Sequence, residues 1–162
     1  MSMSGVVIVG GGHAGFQCID SLRKGGYSGP IALVDAEPHL PYQRPPLSKS
    51  YLLDGADPDT LLFRTENYYA DQAVTLHLGR RAVAIDREAR RIRLDDGQEL
   101  SYEQLVLAPG AKLRPLPVPT EIAAHVHYIK SLDDINRIRE QLDSVKDLVV
   151  VGGTHHTLDT RR

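Results

Sequence analysis

Val6-Val7-Ile8-Val9-Gly10-Gly11-Gly12-His13-Ala14-Gly15 is the stretch of sequence that decides the fold. Four apolar β-formers lead directly into the pattern Gly-x-Gly-x-x-Gly, and residues 16–23 have the character of a helix. A strand, a glycine turn and a helix in this order are typical of a turn that binds a dinucleotide. We therefore predict a βαβ unit over residues 5–37, which the apolar run Ile31-Ala32-Leu33-Val34 completes.

The three glycines of the motif have different physical roles. Gly10 permits the sharp turn out of the strand, Gly12 lets the backbone approach a pyrophosphate, and Gly15 lets the helix pack closely on the sheet. The diphosphate would lie against the helix N-terminus, where N–H groups and the helix dipole favour negative charge. Asp35 follows Gly15 by 20 residues, the spacing of a carboxylate that binds a ribose. The alternative is a glycine-rich turn in an unrelated α/β domain.

Length and composition limit the class of protein. The chain has 162 residues, a net charge of -2 and one cysteine, Cys18. This length suits one domain, or one domain with part of a second. The charge gives no electrostatic reason to expect nucleic acid or an anionic membrane as a partner. A single cysteine excludes an intramolecular disulfide, and no apolar run is long enough to span a membrane, so we expect a cytoplasmic protein.

The pattern changes three times after the first βαβ unit. Residues 38–65 form a proline-rich irregular loop with a short helix at residues 48–53. Turn signals then separate short strands predicted at residues 74–78, 82–86, 91–94 and 105–108. The last part predicts a strand at residues 127–130, a helix at 132–142 and a buried strand at 148–151. The expected fold is α/β, a Rossmann-like domain with a parallel sheet and a β-meander over residues 1–115, followed by the truncated start of a second Rossmann-like domain over 116–162.

Three loop segments point to one family. They are Glu37-Pro38-His39-Leu40-Pro41-Tyr42-Gln43-Arg44-Pro45-Pro46-Leu47-Ser48-Lys49, Leu105-Val106-Leu107-Ala108-Pro109-Gly110-Ala111 and Arg114-Pro115-Leu116-Pro117. With the glycine turn, they make residues 5 to about 151 resemble the NAD(P)H-dependent ferredoxin and rubredoxin reductases. These are flavoproteins of the pyridine nucleotide-disulfide oxidoreductase superfamily. The Pro-Pro-Leu-Ser-Lys segment is the most specific part, because few other folds need a proline pair and a lysine so near a ribose-binding strand.

The resemblance implies an FAD-binding domain over residues 1–115 and the start of an NAD(P)-binding domain over 116–162. It places the FAD pyrophosphate at the glycine turn and the adenosine ribose at Glu37 or Asp35. The implied cofactor-binding residues are Gly10, Gly12, His13, Ala14, Gly15, Asp35, Ala36, Glu37, Arg44, Pro45, Lys49, Ala82, Val83, Ala108, Pro109, Gly110 and Lys130.

Individual roles follow from the same resemblance. Lys49 is the implied catalytic residue, because a lysine beside the flavin would stabilise negative charge on its reduced form. Arg44 would face the phosphates or the ribityl chain, and Ala82 or Val83 would contact the adenine through its backbone. The alternative for Arg44 and Lys49 is that both are ordinary solvated charges.

Three positions depart from the family pattern. Ala36 stands where relatives usually have an acidic residue, so the sequence leaves open whether Asp35 or Glu37 binds the ribose. Pro109 replaces a threonine and removes a backbone donor. Lys130 stands where arginine is common, and an ammonium group cannot make the bidentate contact of a guanidinium.

The implied activity is electron transfer from NAD(P)H through FAD to a ferredoxin or rubredoxin. Thr154 and Thr157 stand where a second, nicotinamide-binding glycine motif would continue, so we expect truncation and incomplete activity, with an exposed sheet edge that favours a homodimer. A non-catalytic FAD-binding module or inactive remnant is the alternative. A partner-binding role like that of apoptosis-inducing factor would need a basic surface. We expect no metal site and no dithiol chemistry. The acceptor and the choice of NADH or NADPH stay open.

Overall fold

The computed structural model describes residues 5–152. They form two compact units, one of residues 5–42 and 62–111 and the other of residues 43–61 and 112–152. The predicted domain boundary after residue 115 stays a prediction. The threonine substitutions predicted to interrupt a second glycine motif lie outside the described residues. In chain order the strands and α-helices are β1 (Val6–Val9), α1 (His13–Lys24), β2 (Ile31–Asp35), α2 (Leu52–Asp54), α3 (Glu66–Asp71), β3 (Val74–Leu78), β4 (Ala82–Asp86), β5 (Arg91–Leu94), β6 (Glu99–Ser101), β7 (Gln104–Leu107), α4 (Thr120–Ala123) and α5 (Leu132–Leu142).

A four-stranded parallel sheet organises the first unit. Its strand order is β3-β2-β1-β7, so the predicted βαβ unit lies at its centre. Strands β1 to β5 are confirmed, and β7 begins one residue earlier than predicted. Because parallel strands all end at the same edge, the turns after β1, β2 and β7 meet there.

Both faces of the parallel sheet are covered. On one face, Phe16 and Ile19 of α1 pack against Ile8 and Leu33 of the strands. On the other face, the antiparallel meander β4-β5-β6 contributes Ile92 and other buried side chains. The meander turns at Asp95-Asp96-Gly97-Gln98 as predicted, with Gly97 at φ +87° and a hydrogen bond of 2.8 Å from the Leu94 N–H to the Gln98 carbonyl. The α/β fold with a parallel sheet and a meander is therefore confirmed.

The second unit combines the proline-rich loop with α5. A π-helical turn at Leu47–Tyr51 continues into α2, where a short helix is predicted, and a 3₁₀ turn follows at Pro58–Leu61. The α5 helix has its predicted bounds, and a capping box between Ser131 and Asp134 closes its N-terminus.

Two predicted strands are wrong. Residues 127–130 and 148–151 are not in strands, and neither run pairs with another strand of the described residues. Strand geometry depends on hydrogen bonds to a neighbour, which an apolar pattern cannot supply by itself. The side chain of Val149 is 86% exposed, so the second run is also not buried as predicted.

Candidate nucleotide-binding site

Two glycines of the turn are required by backbone geometry. Gly10 has φ +112°, and a Cβ on it would overlap the carbonyl oxygen of Ala108 at the end of β7. A Cβ on Gly15 would overlap the carbonyl oxygen of Gly10. The first turn of α1 therefore lies in direct contact with the end of β1, and no other residue fits at either position without movement of the backbone.

Gly12 has a different environment. Its φ of -74° and ψ of -169° are accessible to any residue, and no atom lies within 4 Å of a Cβ built on it. It precedes α1, which has no side-chain cap and no acidic residue in its first turn. The first intrahelical hydrogen bond is donated by the Phe16 N–H to the Gly12 carbonyl, at 3.0 Å. The space beside Gly12 and the electropositive helix end suit a phosphate group.

The two candidate ribose carboxylates lie at the end of β2, Asp35 as its last residue and Glu37 two residues later. Asp35 is half-buried, and a Cβ on Gly11 would overlap its Oδ2 atom. The Glu37 carboxylate accepts a hydrogen bond of 2.6 Å from the Tyr42 hydroxyl. Ala36, between them, is exposed. The structure thus holds both carboxylates beside the glycine turn, and the absence of a side chain at Gly11 leaves room for the Asp35 carboxylate.

Of the remaining predicted residues of the first unit, Ala108 and Pro109 lie beside the glycine turn through backbone contacts. The Ala108 N–H donates to the Val9 carbonyl at 2.8 Å, and Pro109 Cα lies 3.2 Å from a Cβ built on Gly10. The Arg80 N–H donates to the Asp35 carbonyl at 2.8 Å, which fixes the chain just before β4. The other members of this group are Ala82 and Val83 on β4, an edge strand of the meander, and Gly110 at φ +66° beyond β7.

Sequence reasoning missed an aromatic group beside the glycine turn. Phe63 stacks on Phe16, with ring centroids 4.5 Å apart and an interplanar angle of 3°. The exposed ring of His13 meets Phe63 edge-on at 4.7 Å. The guanidinium of Arg64 lies 5.7 Å from the Phe16 ring centroid. No local pattern marks Phe63, because the loop that carries it reaches α1 only through the tertiary fold.

Four predicted site residues belong to the second unit. The Arg44 guanidinium donates a hydrogen bond of 2.7 Å to the Lys130 carbonyl, so these two residues contact each other. Pro45 and Lys49 are exposed, and Lys130 is half-buried. Arg44 thus has a structural contact, and its role toward the cofactor stays a prediction.

Residues 5–152 give little support for a metal site, a membrane-spanning helix or a reactive thiol. No group of three His, Cys, Asp or Glu side chains there is placed to hold a metal ion, and no helix there is both long and apolar enough to cross a bilayer. Cys18 is a free, half-buried thiol on α1, and burial raises the pKa of this thiol, which disfavours the reactive thiolate form.

Comparison with known proteins assigns the family. A family described as pyridine nucleotide-disulphide oxidoreductase matches residues 4–158. Rhodocoxin reductase of Rhodococcus erythropolis is 44% identical over 147 residues, which are 91% of this chain and 34% of that protein. Putidaredoxin reductase of Pseudomonas putida is 41% identical over 157 residues, 95% of this chain and 37% of that protein. The chain therefore spans about a third of the length of these relatives.

Solved structures agree with this assignment. A ferredoxin reductase from Rhodopseudomonas palustris has a TM-score of 0.82 and 47% identity, covering 88% of this chain and 35% of that one. The reductase of a covalent putidaredoxin reductase–putidaredoxin complex has a TM-score of 0.80 and 40% identity, with the same coverage of 88% and 35%. The matched family model extends over nearly the whole sequence, and the chain belongs to the pyridine nucleotide-disulphide oxidoreductase family.

Proposed function

We propose that this chain binds FAD, with the glycine turn after β1 holding the pyrophosphate. One observation supports this most strongly. Backbone atoms occupy the space that a Cβ would need on Gly10 and Gly15, whereas the space for a Cβ on Gly12 is empty. A structural turn has no need for a glycine in open space with ordinary φ and ψ. A site that must admit a phosphate to within hydrogen-bond distance of the backbone does.

The other predicted residues receive roles in the same proposal. In the first unit, Asp35 and Glu37 are the ribose ligands, the β4 backbone at Ala82 or Val83 meets the adenine, and the chain at 108–110 passes beside the cofactor. In the second unit, Arg44 and Lys130 interact with the phosphates or ribityl chain. Lys49 is exposed and is proposed to stabilise negative charge on the flavin.

The activity proposed for the whole protein is NAD(P)H-dependent reduction of a ferredoxin- or rubredoxin-type iron–sulfur protein. Bound FAD would supply the chemistry that links two-electron hydride transfer to one-electron transfer. The names of the relatives support this class: one is a ferredoxin–NAD(+) reductase component and another a rubredoxin–NAD(+) reductase, both from Pseudomonas putida. The single cysteine supports a reducing, cytoplasmic location.

A non-catalytic FAD-binding module is the second candidate. Thr154 and Thr157 favour it, since β-branched residues replace the glycines expected of a nicotinamide-binding turn. A homodimer is proposed on one observation, that β7 lies at an edge of the parallel sheet, where unpaired backbone groups can meet a second chain. Its test is the mass of the protein in solution.

The proposal is tested by mixing the purified chain with FAD, removing free cofactor by gel filtration and recording the visible spectrum of the protein peak. A retained flavin band near a one-to-one ratio is expected. A colourless peak of folded protein would refute the proposal. NADH is then added to the flavin-loaded protein without oxygen: bleaching of the flavin supports the reductase, and an unchanged spectrum supports the non-catalytic module.

A further inference from the structure

One carbonyl group of the loop, that of Pro46, holds the backbone at both Lys49 and Tyr51. The Pro46 carbonyl accepts hydrogen bonds from the N–H groups of Lys49, at 3.0 Å, and Tyr51, at 3.2 Å. Lys49 itself departs from helical geometry, with φ -123° and ψ -115°. Ser48 and Tyr51 are buried on either side, while the Lys49 side chain is exposed. Because Lys49 and Tyr51 donate to the same carbonyl, a movement of Tyr51 would also change the backbone at Lys49.

Tyr51 is anchored by α5. The tyrosine is 1% exposed, and its hydroxyl donates a hydrogen bond of 2.8 Å to Oδ1 of Asn136. The guanidinium of Arg139, one turn further along α5, lies 5.2 Å from the centroid of the Tyr51 ring. A buried phenol without a partner would be costly, so the hydrogen bond to Asn136 stabilises Tyr51 in this position.

The same helix also holds Arg44. Arg44 donates to the Lys130 carbonyl, and the Lys130 N–H donates to Oδ2 of Asp134 at 3.2 Å. Asp134 is the capping-box residue of α5. Arg44 and Lys49 are thus both connected to α5, Arg44 through the start of the helix and Lys49, by way of Tyr51, through its middle turn.

We propose that Asn136 is a positioning residue for the flavin end of the cofactor site, acting through Tyr51 on Lys49. The proposal rests on the proposed FAD binding. In this arrangement α5 holds the loop so that the Lys49 ammonium is presented in one direction. No motif of the sequence indicates this, because Tyr51 and Asn136 are 85 residues apart.

The test measures two dissociation constants for each variant, one for FAD by flavin fluorescence and one for ADP by isothermal titration calorimetry. ADP probes the pyrophosphate site without the flavin. Asn136→Ala is expected to weaken FAD binding about fivefold, the effect of one lost hydrogen bond, and to leave ADP binding unchanged. Asn136→Asp keeps an oxygen acceptor for Tyr51 and is expected to restore FAD binding. Gln141→Ala, an exposed position on the same helix, is the matched control.

A double-mutant cycle separates positioning from general stability. In a Lys49→Ala background the further change Asn136→Ala is expected to have no effect on the FAD dissociation constant, since its target is gone. Equal losses with and without Lys49, or a parallel loss of ADP binding, would overturn the proposal. So would FAD binding by Asn136→Ala equal to that of the control. If the unmodified chain binds ADP but not FAD, or binds neither, the proposed function itself fails.

Discussion

Replacement of Gly12 by alanine separates the stability of the fold from its affinity for the cofactor. The Gly12 backbone, at φ -74° and ψ -169°, accepts alanine, and a Cβ meets nothing within 4 Å. We therefore expect the free energy of unfolding of the cofactor-free protein to change by less than about 0.5 kcal/mol. A slight gain is also consistent, because alanine restricts the unfolded chain more than glycine does.

The affinity for FAD, by contrast, is expected to fall. The added methyl group occupies the space through which a phosphate would reach the first N–H groups of α1. Loss of one charge-assisted hydrogen bond is worth about 1.5–3 kcal/mol, which raises the FAD dissociation constant about 10- to 100-fold. Urea denaturation of the cofactor-free protein and flavin fluorescence titration measure the two quantities on the same sample.

Gly15→Ala is the control for this experiment. Its Cβ would overlap a backbone carbonyl oxygen, that of Gly10, so the cofactor-free protein should lose about 1–3 kcal/mol of stability. If Gly12→Ala destabilises the protein as much as Gly15→Ala does, the turn at Gly12 is structural. Wild-type affinity for FAD in a stable Gly12→Ala variant would equally refute the assignment of the phosphate to this position.

Three further predictions concern the first unit. Arg23 donates hydrogen bonds of 2.7–2.8 Å to the carbonyls of Tyr27, Gly29 and Gln72. Arg23→Ala should therefore lower the free energy of unfolding, measured by urea denaturation, by about 2–3 kcal/mol. An unchanged midpoint would show that water replaces the guanidinium. Burial lowers the pKa of His77 below its ordinary 6.5. The folded state then binds fewer protons than the unfolded state, so the free energy of unfolding should fall as the pH drops below about 6.5. His77→Gln should reduce this pH dependence in denaturation curves recorded from pH 7.5 to 5. Burial raises the pKa of Cys18, so iodoacetamide should modify it slowly in the folded protein and much faster in urea, as followed by mass spectrometry; equal rates would contradict its half-buried position.

Local pattern was sufficient for most of the first unit. The change from β-formers to a glycine turn, and the return to apolar alternation, predicted β1 to β5 and the hairpin at Asp95-Asp96-Gly97-Gln98. These elements follow from interactions between residues near one another in the chain, which is why a sequence pattern can predict them. The same pattern failed at residues 127–130 and 148–151. Their apolar character suits a strand, but a strand also needs a neighbour to pair with.

The sequence by itself determined the glycine turn, the α/β class, and the family resemblance of the proline-rich loop. The tertiary structure alone decided at which glycine an added Cβ meets backbone and at which it meets empty space, because the carbonyl oxygen that a Cβ on Gly10 would overlap belongs to Ala108, just after β7. It also decided the pairing of Arg44 with Lys130, 86 residues apart, and of Tyr51 with Asn136, 85 residues apart. Contacts between residues so far apart depend on the complete path of the chain, and no local periodicity records that path.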